Sequence, residues 1–550
     1  MTVSRLALCI SFYSAIFVTT SIVAPSAQAQ EWVYTTVAGD NLWNLSEQHL
    51  DRATRFKQLQ KLNNIENPRQ MQPGTRLRVP LKWIRSNPVP AEISEIRGKA
   101  ELLRAADNSV QPLKEGSQIQ LGDRVRSGAD TTLAIRFADN TVLTLYSDSL
   151  IRFDHLSAHG TTGMVDSRLH LLKGRMDTRV TPASGPGSRF EIETPSAISA
   201  VRGTEYRATV ADEGKLSNIE VIHGKVVVRG ADKKRLIKAG YGTQVAAGTA
   251  PIPPKKLLPP PQFKKPDGAI RSINWTINWK TNEDARGYRI EVSEDASFNT
   301  LLWQQVSQYS RAPLPDIPDG NYFVRVRGID QLGLEGQSSV LAFSLDARPQ
   351  PPVQLSPADK KLFRGQSPEL QWTASEDAAR YHLEIATDAA FSNLIVDDDS
   401  IRGNRYDSSA LPVPGYYFWR LTSITADNEF GPTGLIREWE IKPIPAKVDA
   451  QMSSSEDGML VASWPSGDAG QTYQAQLAYD KGFEDLQTDL ILTEPEMSFL
   501  PVKNTARYLR VRTIETDGYI GPWGTTQKVV PVIDYTPLAI WGSFLMLILL

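Results

Sequence analysis

The sequence has almost no cysteine, and Cys9 is the only one among 550 residues. A single thiol excludes a disulfide framework, a thiolate zinc site and an iron–sulfur cluster. Histidine is also scarce, with six residues, and there is neither a phosphate-binding loop nor a G-x-S-x-G motif. The sequence therefore predicts no catalytic residues, no metal site and no cofactor. A glycosidase built on two carboxylates that are distant in the chain remains open.

An excess of charge of one sign is absent as well. Lys and Arg number 60 against 62 Asp and Glu, which gives a formal net charge of −2. Without an overall basic field, nucleic acid is not expected as a partner. Hydrophobic residues make up 41% and charged residues 22%, which is typical of folded soluble proteins. A chain of 550 residues is too long for one core and suggests three or four domains or more.

The two ends of the chain are apolar. Residues 1–29 join a basic start to an apolar stretch and end in Ala27-Gln28-Ala29, which predicts a secretory signal cleaved after Ala29. An uncleaved membrane anchor is the alternative. Because Cys9 lies in this segment, the mature chain would have no thiol. At the other end, within residues 535–550, the run from Leu538 to Leu550 covers about 20 Å as a helix, short of the roughly 30 Å hydrocarbon core. A membrane anchor is slightly favoured over a docked helix or strand.

Residues 31–80 predict a compact module with the order strand, helix, helix, strand. Val33 to Val37 is extended, and Leu42, Leu45 and His49 recur at helical spacing. A second helical stretch contains Phe56, Leu59 and Leu62, and Arg76 to Val79 forms the last strand. About 50 residues is near the lower limit for a self-supporting core, so the module must be well packed.

The sequence of this module resembles a LysM domain from end to end. The resemblance lies in Tyr34-Thr35-Thr36-Val37-x-Gly39-Asp40-Asn41-Leu42-Trp43-x-Leu45, Leu59-x-x-Leu62-Asn63-Asn64-Ile65 and Met71-x-Pro73-Gly74-x-x-Leu77-x-Val79-Pro80. It implies binding of peptidoglycan, or another glycan that contains N-acetylglucosamine, in a shallow groove between two loops. By position, the groove would use Gly39, Asp40, Asn41 and Leu42 on one side and Asn64, Ile65 and Met71 on the other. For Trp43, core packing is at least as well supported as ligand contact.

Residues 93–248 change to short alternating runs separated by turns, which predicts an all-β domain. A FecR domain is resembled by four segments, Leu121 to Gly128, Ala134 to Leu145, Phe190 to Ala197 and Val201 to Tyr206. The ending, Val221 to Val228 and then Lys238 to Gly242, resembles it as well. The resemblance implies a periplasmic, non-enzymatic domain that contacts a protein partner. Members that regulate a sigma factor have a cytoplasmic segment and a membrane helix where this chain has an export signal and a LysM-like module. Only the interaction role is therefore carried over.

One pair of histidines is a candidate for a metal site. His155 and His159 follow Asp154 at a spacing that would align both imidazoles on a helix. The surrounding pattern is strand and loop, however, and no third ligand is near in sequence. A metal site here is not expected.

After a proline-rich linker at residues 249–267, which predicts a semi-rigid spacer, the sequence repeats itself three times. The repeats cover residues 268–346, 349–442 and 445–532. Each has a tryptophan, a tyrosine and a phenylalanine at fixed spacing: Trp279, Tyr288 and Phe298; Trp372, Tyr381 and Phe391; Trp464, Tyr473 and Phe483. A period of about 90 residues with an early tryptophan predicts small β-sandwiches whose aromatic residues fill the core. The repeats resemble fibronectin type III domains.

The parts together predict a multidomain, predominantly β protein that is exported to the periplasm and associated with the cell wall. The favoured function is a non-enzymatic peptidoglycan-binding scaffold or sensor whose FecR-like domain and repeats contact an envelope protein or a glycan. One alternative is a cell-wall hydrolase, or its activator, targeted by the LysM-like module. A second is an extracellular carbohydrate-binding adhesin built on the repeats.

Overall fold

The computed structural model describes residues 30–503 and 505–530. The predicted signal segment and the apolar tail lie outside the described residues. Within the described ranges, no helix is both long and apolar enough to cross a membrane. The chain divides between Asp346 and Ala347 into two compact units. Strands dominate both units, which confirms the predicted fold class.

The first unit begins with the small strand–helix–helix–strand module. Its two strands pair antiparallel, with Glu31 opposite Pro80. Both helices place leucines inside, and Leu42, Leu59 and Leu77 are fully buried in a shared core. The elements are β1 (Glu31–Thr35), α1 (Leu42–His49), α2 (Phe56–Asn63) and β2 (Arg76–Pro80), with 3-10 turns at Ala53–Arg55 and Leu81–Trp83.

The middle of the first unit is a closed two-sheeted β domain around one large apolar core. Its strands are β3 (Ser86–Pro88), β4 (Ala91–Arg97), β5 (Ala100–Leu103), β6 (Val110–Pro112), β7 (Gln118–Ile119), β8 (Arg124–Ser127), β9 (Thr132–Arg136), β10 (Val142–Leu145), β11 (Leu150–His159), β12 (Val165–Arg179), β13 (Arg189–Glu193), β14 (Ile198–Val201), β15 (Glu205–Ala211), β16 (Leu216–His223), β17 (Lys225–Gly230), β18 (Lys233–Lys238), β19 (Tyr241–Ala246) and β20 (Lys255–Lys256). A 3-10 turn lies at Asp212–Gly214.

The long strand β12 belongs to both sheets of this domain. One part pairs with β11 and β13, and the other with β10 and β15. From β12, one sheet continues through β13, β14 and β17 to β18, and we call it the first sheet. The other continues through β15 and β16 to β19 and β20, and we call it the second sheet. Each sheet has one face on the core and one outer face.

The first repeat completes the first unit. Its strands are β21 (Thr276–Asn278), β22 (Gly287–Ser293), β23 (Trp303–Ser307), β24 (Arg311–Pro313), β25 (Gly320–Ile329) and β26 (Ser339–Leu345). They form a two-stranded sheet, β21-β24, and a four-stranded sheet, β23-β22-β25-β26. The proline-rich segment before them is packed against the body of the unit: it contributes β20, and Leu257 and Leu258 are buried.

The second unit contains the other two repeats, each with the same two-sheet plan. Repeat 2 comprises β27 (Gln354–Ser356), β28 (Lys361–Arg364), β29 (Glu369–Trp372), β30 (Arg380–Ala386), β31 (Leu394–Ile401), β32 (Arg405–Asp407), β33 (Gly415–Ile424), β34 (Phe430–Thr433) and β35 (Arg437–Lys442). Repeat 3 comprises β36 (Gln451–Ser454), β37 (Leu460–Ser463), β38 (Thr472–Ala478), β39 (Leu486–Leu492), β40 (Glu496–Phe499), β41 (Arg507–Ile514) and β42 (Gln527–Val529).

The repeated tryptophans and tyrosines lie in the cores, as their fixed spacing predicts, whereas the repeated phenylalanines are buried outside these core clusters. Each tryptophan is buried and meets its repeat's tyrosine edge to face, with ring centroids 5.2, 5.8 and 5.6 Å apart along the chain. Each repeated phenylalanine has a positive φ, between 54° and 63°. An arginine from the neighbouring strand lies over each of these rings, which are Phe298, Phe391 and Phe483.

Candidate functional site: the loop groove and the surfaces around it

Two loops of the N-terminal module converge beside the ends of β1 and β2. The first loop joins β1 to α1, and the second joins α2 to β2. Backbone hydrogen bonds connect them: the Leu42 N–H donates to the Pro68 carbonyl at 2.9 Å, and the Thr36 N–H donates to the Thr75 carbonyl at 2.9 Å. The Thr36 hydroxyl also donates to the Gln72 carbonyl at 2.6 Å. The groove walls are therefore held in place without a ligand.

Three residues predicted for the first wall shape the loop through internal contacts. The Asp40 carboxylate accepts from the Val37 N–H at 2.7 Å and from the Tyr34 hydroxyl at 2.9 Å. Burial, together with the bond to Asp40, raises the pKa of the Tyr34 hydroxyl. The Asn41 side chain accepts from the Asn44 N–H at 2.8 Å and caps α1. The Leu42 side chain is fully buried in the core, so only its backbone lies at the groove.

The second wall is more open. Asn64 ends α2 in the left-handed conformation, with φ 52° and ψ 44°, and its side chain is exposed. Ile65 and Met71 are half-buried and rest against the module's core. The Gln60 amide donates to the Ile65 carbonyl at 2.9 Å, which fixes the backbone after Asn64. The wall thus offers one free amide side chain beside two apolar ones.

Unpaired backbone donors complete the groove. Among the described residues, the N–H groups of Ala38, Gly39 and Asn41 have no protein acceptor. Gly39 adopts φ +92°, and a Cβ there would meet nothing within 4 Å. Such a row of donors suits carbonyl and hydroxyl oxygens of a sugar. Trp43, for which core packing was considered, is 48% exposed and contacts Phe56 edge to face at 5.3 Å.

The module also packs on the middle domain. Met164, from the turn between β11 and β12, is fully buried in the module's own core. The His49 ring at the end of α1 lies 3.3 Å from the Thr161 hydroxyl, and burial lowers the pKa of this histidine. The module and the middle domain are therefore joined through side chains as well as through the chain.

A buried network of charged side chains, which no sequence pattern indicates, lies between the middle domain and the first repeat. Glu291 on β22 accepts from Arg325 Nε at 2.7 Å and from Arg175 Nη2 on β12 at 2.9 Å. Arg327 also donates to Glu291 and lies 3.4 Å from Asp177 on β12. Burial opposes the charge on Glu291, but the three arginines hold its pKa well below the usual value. The carboxylate is therefore ionised in the interface.

A second part of the network joins the loop after β25 to the second sheet. Arg207 on β15 donates to the Glu335 carbonyl at 2.6 Å and to the Gly336 carbonyl at 2.8 Å. Glu220 on β16 accepts from the Glu335 N–H at 3.1 Å. Burial, opposed by Arg207, raises the pKa of Glu220 to about 7. The outer face of the second sheet is thus covered by the first repeat.

One set of possible metal ligands is present among the described residues. Asp154, His170 and Glu193 bring ligand atoms within 4.8 Å of one another. Arg152 lies among them, paired with Asp154 and 3.2 Å from His170 Nδ1. The Arg152 guanidinium therefore already pairs with one carboxylate of this group, and His155 and His159, at which a metal site is not expected, are not in it. β11 is a strand, as the local pattern indicated.

Comparison with known proteins identifies two domains. The family model described as LysM domain matches residues 34–80, and the model described as FecR protein matches residues 123–227. The chain therefore contains a LysM domain and a FecR domain, which confirms both resemblances. No curated protein matches the chain.

Two of the solved structures to which parts of the chain are similar are as follows. A putative anti-sigma factor from Parabacteroides distasonis is 18% identical, and the match covers 24% of this chain and 59% of that one, with a TM-score of 0.21. This chain thus spans less than two thirds of that structure. The FN1-FN3 domains of chicken CNTN1 are 16% identical, over 50% of this chain and 98% of that one, also with a TM-score of 0.21.

Proposed function

We propose that this protein is an exported, non-enzymatic component of the bacterial envelope. In this proposal the LysM domain holds it on peptidoglycan through Gly39, Asp40, Asn41, Leu42, Asn64, Ile65 and Met71. The FecR domain, with the first repeat docked on it, contacts an envelope protein and takes part in signalling. Two identified domains support the proposal, since both are binding or signalling modules.

The observation on which glycan binding rests is the preformed groove. Its loops are fixed by their own hydrogen bonds, so little ordering entropy opposes binding. The donors of Ala38, Gly39 and Asn41 and the amide of Asn64 are free to meet acetamido and hydroxyl oxygens. Ile65 and Met71 supply apolar surface for an acetamido methyl group. Asp40, Asn41 and Leu42 act by shaping the backbone.

The test measures sedimentation of the full chain with purified peptidoglycan. Asn64→Gly keeps the left-handed backbone and removes only the side-chain amide. Loss of one hydrogen bond, worth about 1 kcal/mol, weakens binding about fivefold. Asn108→Gly is the matched control, because Asn108 is exposed with φ 57° in the middle domain. Equal binding by the two variants would remove Asn64 from the site, and failure of the unaltered chain to sediment would refute peptidoglycan binding.

The two alternative functions are tested on the same material. Muralytic activity in a zymogram, abolished by substitution of one carboxylate, would replace the proposal by a wall hydrolase. Accessibility of the repeats to protease on intact cells would replace it by an adhesin. We expect neither result.

A further inference from the structure

The hairpin formed by β17 and β18 concentrates positive charge in a chain whose net charge is −2. Residues 225–238 read KVVVRGADKKRLIK, with six basic residues and one acidic residue. Lys225, Arg229, Lys234 and Lys238 are exposed, and none of them forms an ion pair with any described residue. We call these four residues the basic quartet. The FecR family match ends at residue 227, so most of the hairpin lies beyond it.

The register of the hairpin places like charges opposite each other. Lys225 faces Lys238 across the two strands, and Arg229 faces Lys234. Between these pairs, Val227 faces Leu236, and the two side chains are 40% and 47% exposed. Like charges directly opposite on a sheet destabilise it, and exposed apolar pairs gain from being covered. The quartet therefore concentrates positive charge on the hairpin, and none of its members forms an ion pair with a described residue.

The outer edge of β18 is also without a strand. β18 forms a ladder with β17 over its whole length and with no second strand in the described part of the chain. Paired residues alternate between bonded and non-bonded positions, and the turn at Ala231 and Asp232 makes Gly230 and Lys233 a bonded pair. The backbone groups of Lys234, Leu236 and Lys238 consequently point to the open edge. Lysines at such an edge repel a second copy of the same strand.

The contacts that the first repeat and the LysM domain make with this domain involve other strands and turns. The first repeat covers the outer face of the second sheet through Arg175, Arg207 and Glu220. The LysM domain packs on the turn that contains Thr161 and Met164. None of the residues that make these contacts belongs to β17 or β18.

We propose that the free edge of β18 binds an extended acidic segment of an envelope protein as an added strand. Acidic side chains at two alternate positions would face Lys234 and Lys238, and an apolar side chain between them would face Leu236. Main-chain hydrogen bonds supply affinity in such strand addition, and side chains supply specificity. The same lysines that repel a second β18 select an acidic strand. The proposal rests on the proposed role of the FecR domain as a protein-contacting domain.

The test uses the full chain and a synthetic peptide, Thr-Glu-Thr-Val-Thr-Glu-Thr, labelled for fluorescence anisotropy. Two comparison peptides replace the central valine by proline or both glutamates by lysine. The protein variant is Lys234→Glu with Lys238→Glu, and the matched control is Lys447→Glu with Lys481→Glu, which changes two exposed lysines of the second unit. Vesicles with anionic lipid are the third probe.

The glutamate peptide should bind the unaltered chain and the control equally. The Lys234/Lys238 variant should bind it at least about tenfold more weakly and prefer the lysine peptide. The proline peptide should not bind, because it cannot complete the ladder. Absence of binding at millimolar peptide, insensitivity to the charge reversal, equal binding of the proline peptide, or equal retention on anionic vesicles would each overturn the proposal. Peptidoglycan sedimentation should not change in the variant, so failure here is distinct from failure of glycan binding.

Discussion

Removal of Glu291 should uncouple the first repeat from the FecR domain. Its carboxylate is fully buried and is shared by Arg175 of the FecR domain and by Arg325 and Arg327 of the repeat. Glu291→Ala leaves these three guanidinium groups beside an empty space. Breaking a buried ion pair by removing one partner costs about 3–5 kcal/mol, because the remaining charge is uncompensated.

Repeat 2 provides a matched control for this substitution. Glu384 has the position of Glu291 in its own repeat and pairs with Arg420, which has the position of Arg325. The Arg420 side chain is 28% exposed, however, so water can solvate it after the loss of its partner. We expect Glu384→Ala to cost about 1 kcal/mol, the range of a pair in contact with solvent.

Hydrogen exchange followed by mass spectrometry reports the local stability of each unit separately, whereas a single melting curve would combine the two units. Glu291→Ala should accelerate exchange in β12 and β15 of the FecR domain as well as in β22 and β25. A cost of 3–5 kcal/mol corresponds to roughly 150- to 5,000-fold. Exchange in the second unit should not change. Equal effects of Glu291→Ala and Glu384→Ala, or acceleration confined to the repeat's own strands, would refute the coupling role of the network.

Three further predictions concern stability. Because the folded state raises the pKa of Glu220 to about 7, the contribution of Glu220 to the free energy of unfolding is complete below about pH 4.5 and is lost as the pH rises to 7. Glu220→Gln resembles the protonated acid at every pH. The free energy of unfolding of this variant, relative to the unaltered chain, should therefore be higher at pH 7.5 than at pH 4.5. Gly174→Ala should cost about 1–3 kcal/mol more than Gly248→Ala, since both glycines have positive φ but only the first would place a Cβ 2.0 Å from Ser149 Oγ; equal urea midpoints would contradict this. Trp419→Ala should destabilise the second unit by about 3–5 kcal/mol because its side chain is fully buried, and unchanged exchange in β33 would contradict it.

The sequence was sufficient for the elements that bury apolar surface. The alternation in β17, where Val226 and Val228 are buried and Val227 is exposed, reads directly as a strand with one face on a core. The recurrence of Trp279 and Tyr288 at the same spacing in each repeat predicts the sandwich core. In the LysM domain, the sequence motif shared with the family indicates where the two loops lie. It does not indicate that the Leu42 side chain points into the core while the amide of Asn64 is exposed.

The docking of the first repeat could not be predicted, because its interface is made of side chains that normally face water. Arg175 and Asp177 alternate with core residues along β12, as solvent-facing residues do. Arg325 and Glu291 have equivalents in repeat 2 that are partly exposed. Periodicity identifies which face of a strand leaves the core, but it does not distinguish a face covered by another domain from a face covered by water. Residues 249–267 show a comparable limit. Their proline content predicts a semi-rigid spacer, but it does not indicate that Leu257 is buried against the rest of the unit.

A similar limit applies to the argument from net charge. A formal charge of −2 excludes a field from the whole molecule, and for that reason a polyanion was not expected as a partner. Screening confines the effect of exposed charges to about 8–10 Å, so a partner at one edge senses only the charges near it. At the β17–β18 hairpin those charges include Lys225, Arg229, Lys234 and Lys238, none of which is paired with an acid among the described residues. If the acidic peptide binds there, its affinity should fall steeply with added salt. Peptidoglycan binding through hydrogen bonds in the LysM groove should change little, and equal salt dependence of the two would contradict this difference between the sites.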